Sequence, residues 1–259
     1  MTWLPMFLQL FALGTAGAIA FVPFKEIGKY YFKFHATLAL VLVVPAVLLG
    51  RPWAAVGSET PLGRVAALGS LLFGFLVLVE NVIVRAASRE LRKDALLMPV
   101  SLGVLAVAFA AFAGREGSPG AALLLAAHFL TCAAVLGTAM VAMTTGHWYL
   151  SNAKLPFEIL IGLSRSLVVA IGAKGAVSIA FAALHFSDYR NLEDFDLLVM
   201  GVRLVAGIGM AMALGFMALS CAKRKANQSA TGILYVAVVF VLIGESISMA
   251  LTLGSRRPL

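Results

Sequence analysis

Glu80, Arg165, Lys174, Arg203 and Glu245 are charged side chains placed deep within apolar runs of this 259-residue chain. A charge at membrane depth costs about 2.5–3.5 kcal/mol on insertion scales, so it persists where a partner, a water-filled cavity or a ligand stabilises it. The bland account of these residues is neutralisation, with Lys174 or Arg203 pairing with Glu245, and Arg165 pairing with Glu158 or Glu80, to fix helix packing. The sharper account is a polar cavity for protons or for a ligand head group, with Glu80 or Glu245 as the proton-carrying carboxylate and the cations facing a carbonyl or an anion.

Inferred depth sorts the polar groups into two layers. Lys174, Arg203, Glu245 and His128 fall toward one end of their runs, while Glu80, Asn81, Arg165, Glu158, His147 and Tyr149 fall toward the other. Glu158 and Arg165 are seven residues apart and share a helix face, whereas Arg165 and Lys174, nine apart, point in opposite directions. One helix can therefore serve both layers. In the second layer, Glu80, His147 and Arg165 combine a proton acceptor, a switchable imidazole and a fixed cation, which suits protonation of a quinone carbonyl.

The four histidines raise a second chemistry. Depth allows His35 to pair with His147, and His128 with His185, as two b-type haems would require. Against this, His35 follows the basic aromatic stretch Lys29 to Phe34, and His147 begins His147-Trp148-Tyr149. Both stretches have the composition of head-group anchors. No Cys-x-x-Cys, Walker or Gly-x-Gly-x-x-Gly pattern is present, so the sequence offers no iron–sulfur, c-haem or simple nucleotide site. Cys132 and Cys221 fall at different depths and are expected to be free thiols.

The elements that must position these groups follow from composition. With 61% hydrophobic residues, 12% charged residues and a mean hydropathy of +0.98, the chain is an all-α polytopic membrane protein rather than a soluble domain. Its formal charge of +8 comes from short basic clusters between apolar runs, which is the pattern of membrane loops and not of a nucleic-acid surface. Eight runs are long enough to serve as spans: Trp3 to Val22, His35 to Gly50, Gly63 to Val84, Leu96 to Phe112, Gly120 to His147, Phe157 to His185, Leu197 to Cys221, and Ala230 to Leu253. The second and fourth are short, and the fifth and sixth are long enough to tilt or project.

Cation placement predicts the orientation. One set of connections carries eleven Lys and Arg residues, among them Lys25, Arg85, Lys154 and Lys223, and the other carries six, among them Arg51, Arg115 and Arg257. The richer side is expected to be cytoplasmic, which places both termini outside a bacterial cytoplasmic membrane. No Lys or Arg precedes the first run, so that run is expected to be a retained span rather than a cleaved signal.

A parallel internal repeat is also suggested. Leu13-Gly14-Thr15-Ala16 recurs as Leu136-Gly137-Thr138-Ala139, and Phe73-Gly74-Phe75 is echoed by Leu214-Gly215-Phe216. These echoes divide a single membrane domain, 1–259, into halves 1–115 and 116–259 of four spans each, both with the same orientation. Gly162, Gly172 and Gly175 in the sixth span and Gly201, Gly207, Gly209 and Gly215 in the seventh are small positions where helices can approach closely. Between the fifth and sixth spans, Pro156 and Glu158 suit the start of the next helix.

In this architecture, two four-span units without a cofactor motif, the chain is similar to the membrane anchor subunits of dimethyl sulfoxide and polysulfide reductases, which exchange electrons with quinone. That resemblance covers architecture and no residue motif. It implies a quinone-interacting membrane subunit of a redox complex, with lipids and other protein subunits as partners. The alternatives are a small-molecule or ion transporter, a non-catalytic assembly subunit and a stand-alone membrane enzyme.

Overall fold

The computed structural model describes residues 3–51, 61–86, 93–114, 118–151, 155–184 and 194–254. Among them the chain is helical with no strand, as lipid requires, because a helix satisfies its backbone groups internally. The helices are α1 (Trp3–Ile19), α2 (Phe24–Ile27), α3 (Lys29–Gly50), α4 (Pro61–Ala86), α5 (Lys93–Gly114), α6 (Pro119–Ser151) and α7 (Phe157–Leu184). They are followed by α8 (Asp194–Val202), a π-helical segment (Arg203–Met210), α9 (Ala211–Lys223) and α10 (Asn227–Gly254). Seven stretches are long and apolar enough to cross a membrane, with α8, the π segment and α9 counting as one, and α1 is a shorter apolar helix. This is a polytopic helical membrane protein of about eight spans.

Several helices run past the apolar limits expected from sequence. α3 starts at Lys29 rather than near His35, immediately after Gly28, whose φ of 89° is open to glycine and strained for other residues. Its extra turn is amphipathic at head-group level: Tyr31 and Phe32 are buried, whereas exposed Tyr30 carries the ammonium groups of Lys29 and Lys33 over its ring at 5.9 and 5.7 Å. α6 continues through His147 to Ser151, and its 33 residues rise about 50 Å, well beyond a hydrocarbon core of about 30 Å. The seventh span contains the π segment.

The chain divides into two compact units, residues 2–133 and 134–259, with the boundary inside α6. In the N-terminal unit α4 packs on α5, α1 on α3, α3 on α4, and α1 on α5, which closes a ring of four helices. Small residues set the approach: a Cβ at Gly103 would meet Leu13 and Phe73 at 2.7 and 2.8 Å, and one at Gly69 would lie 2.9 Å from the Ala106 side chain. In the C-terminal unit α9 packs on both α7 and α10, and the π segment packs on α10. Cys132 and Cys221 are not joined in a disulfide.

Candidate functional site

Two polar groupings occur in the C-terminal unit, and the deeper one grows from α7. Lys174 is buried on this helix and its Nζ lies 3.0 Å from Glu245 Oε2 on α10. One turn after Lys174, the Ser178 hydroxyl donates to the Lys174 carbonyl at 2.9 Å and accepts from Arg203 Nη2 at 2.7 Å. Arg203, Lys174, Ser178 and Glu245 thus form one buried layer, which joins three helices through two cations and one acid.

Backbone contact produces that layer. A Cβ added to Gly207 would sit 2.5 Å from the Gly244 Cα, so the π segment and α10 touch main chain to main chain. Gly244 immediately precedes Glu245, and Gly207 follows Arg203 by four residues. The crossing therefore sets both charged side chains at one level. In the wider winding of a π-helix, small residues every four positions can hold one face, and Arg203, Gly207, Ala211 and Gly215 are the buried positions here.

The second grouping lies where α6 ends and α10 begins. Gly146 is buried, and a Cβ there would meet Thr231 Oγ1 at 2.8 Å. This close crossing brings Tyr235, one turn beyond Thr231, to His147: the phenol oxygen and Nδ1 are 2.9 Å apart, with the rings edge to face. Both side chains are exposed at the helix surface. Nearby, the Tyr149 hydroxyl donates to the Pro156 carbonyl and ties α6 to the start of α7.

The other candidates are placed differently. Arg165 and Glu158 are exposed on one face of α7. His128 is buried on α6 in the N-terminal unit, its ring edge to face with Phe129. His35 is buried on α3, with Nδ1 2.9 Å from the Tyr31 carbonyl and its ring 4.2 Å from that of Tyr31. Glu80 is buried on α4, and neither carboxylate oxygen has a hydrogen-bond partner among the described residues. Asn81, beside it, donates to Thr37 Oγ1 at 3.3 Å and accepts from Arg85 Nε at 2.8 Å, and Arg85 Nη2 reaches the same Thr37 oxygen at 3.0 Å.

Of the residues anticipated for quinone, Glu80 belongs to the N-terminal unit and His147 and Arg165 to the C-terminal unit. Of the histidines considered for haem, His35 and His128 belong to the N-terminal unit and His147 to the C-terminal unit, and His185 lies outside the described residues. No group of three or more metal-ligating side chains occurs among the described residues. Sequence reasoning missed Ser178, Tyr235 and the Thr37–Asn81–Arg85 bridge. The signals were faint: Ser178 follows Lys174 by one helical turn, and Tyr235 is a phenol within an otherwise apolar run. Comparison of the chain with models of protein families, with curated proteins and with solved structures finds no match.

Proposed function

We propose that this chain is a quinone-interacting membrane subunit of a redox complex, seated in a bacterial cytoplasmic membrane with both termini external. The observation that carries the reading is the His147–Tyr235 couple, 2.9 Å apart and exposed at the ends of two spans. An imidazole and a phenol in hydrogen-bond contact can pass a proton in either direction, and their exposed position is open to a ligand moving laterally within the bilayer. Quinone reduction takes up two electrons and two protons. A partner redox subunit would deliver the electrons, and the couple would deliver a proton to a carbonyl oxygen. Trp148 beside the couple suits head-group level, where a quinone ring meets water-borne protons.

The test is purification with identification of co-purifying chains, followed by quinone turnover of the assembled complex. Tyr235→Phe removes the hydroxyl and keeps the ring, so assembly should persist while turnover falls roughly 100-fold or more. Unchanged turnover in an assembled complex rejects the couple, and the absence of any redox partner rejects the subunit reading. A second reading, a small-molecule or ion transporter, is favoured by the buried Lys174–Glu245 pair beside Arg203. Substrate flux by the isolated chain in liposomes would support that reading, and an inert chain that is needed for complex assembly would support a non-catalytic role.

A further inference from the structure

Glu80 is absent from both groupings just described, yet among the described acids of the N-terminal unit it is the most deeply buried. It occupies the buried stripe of α4, where Phe73, Val77, Glu80 and Val84 recur at helical spacing, and only 2% of its surface is exposed. Neither oxygen meets a partner among the described residues. A bare carboxylate in such a place carries the full cost of an unpaired charge in hydrocarbon, whereas the same group carrying a proton costs only what a neutral polar group does.

We propose that Glu80 is a proton-exchange site of the N-terminal unit, served by the polar bridge of Asn81, Thr37 and Arg85. The bridge begins at the residue adjoining Glu80 and ends at exposed Arg85, one turn further along α4 toward its end. It gives water and protons a polar path along a helix that is otherwise apolar there. Opening of the bridge lets the carboxylate form, because water entering there can then donate to it, and closing of the bridge returns the neutral acid.

A metal ion is the poorer occupant. Hard cations take about six oxygens, and the neutral oxygens beside Glu80 are already engaged: Asn81 Oδ1 accepts from Arg85, while Thr37 Oγ1 donates to the Lys33 carbonyl at 2.7 Å and accepts from Arg85. The guanidinium among them repels a second cation. Among the described side chains, the helices packed directly on α4 near this level contribute Lys33 and His35 from α3 and Asp94 from the start of α5, and α1, across the ring, has no ionisable side chain.

The test is reaction of the full-length chain, purified and returned to liposomes, with the lipophilic reagent dicyclohexylcarbodiimide. The protonated carboxyl adds across one N=C bond, its proton going to nitrogen and its oxygen to the central carbon. The acyl group then migrates to nitrogen, leaving a stable N-acylurea that peptide mass spectrometry locates. Glu80 should be modified while Glu245, paired with Lys174, is not, and the modification rate should fall at least tenfold as pH is raised from mildly acidic to alkaline. Thr37→Val, which removes two bridge contacts and keeps the side-chain shape, should move the pH at which the rate falls. Glu80 left unmodified at every pH, a rate independent of pH, or equal modification of Glu80 and Glu245 would overturn the proposal. Since the decisive comparison lies within one wild-type peptide map, it does not depend on a Glu80 variant folding.

Discussion

Removing charge from the Lys174–Glu245 pair should be worse one residue at a time than both together. At 3.0 Å and an effective dielectric of about 20, the attraction is about 5 kcal/mol. Desolvation of each buried ion costs several kcal/mol, so the intact pair comes close to break-even. Breaking it leaves one charge uncompensated, at a cost of about 3–5 kcal/mol, whereas replacing both partners by uncharged groups is about neutral. The layer also predicts an order. Glu245→Gln leaves two buried cations, Lys174 and Arg203, without the acid between α7 and α10, while Lys174→Met leaves Glu245 with Arg203 still tied to the same turn of α7 through Ser178. Glu245→Gln should therefore destabilise more than Lys174→Met, and the double variant less than either, so the two single effects should be strongly non-additive. Reversible unfolding in mixed micelles, followed by tryptophan fluorescence, measures all three. Additive single effects, or a Glu245→Gln change below about 0.5 kcal/mol, would refute the account of the layer.

Gly207→Ala should lower stability by about 1–3 kcal/mol in the same assay, because its Cβ would lie 2.5 Å from Gly244 Cα and the two helices would have to part. Gly232→Ala, where nothing lies within 4 Å, should leave stability unchanged or slightly raised. Ala226 is exposed in the tight turn between α9 and α10, and in a chain whose native cysteines have been replaced a cysteine there should label from the cytoplasmic side alone. A cysteine at Ser88, outside the described residues, should behave in the same way, and labelling of either from outside intact cells would reverse the proposed orientation.

The positions of the spans were legible in the sequence, because lipid leaves a crossing segment little choice: about twenty apolar residues in a helix that satisfies its own backbone. For the same reason α3 could be placed but not its start, since Lys29 to Phe34 combine aromatic rings and long cationic chains that can sit at the head-group level within a helix or outside one. Depth matching also brought Glu245 together with Lys174 or Arg203, because an isolated charge at that depth is costly. It did not select between the cations. The Gly207–Gly244 crossing puts Lys174 on the acid and Arg203 on Ser178, and it lies in a π segment that hydropathy does not register. Which face of a span turns inward was equally hidden. On α4, Leu68, Leu72, Phe75, Leu78 and Val82 are exposed while Phe73, Val77 and Val84 are buried, and the two stripes are chemically alike. Since lipid tails are as apolar as a leucine core, the sequence carries little contrast between facing lipid and facing protein, and close packing of small residues decides between them. That packing placed Tyr235 against His147 through Gly146, and left Arg165 exposed and Glu80 buried with no hydrogen-bond partner among the described residues.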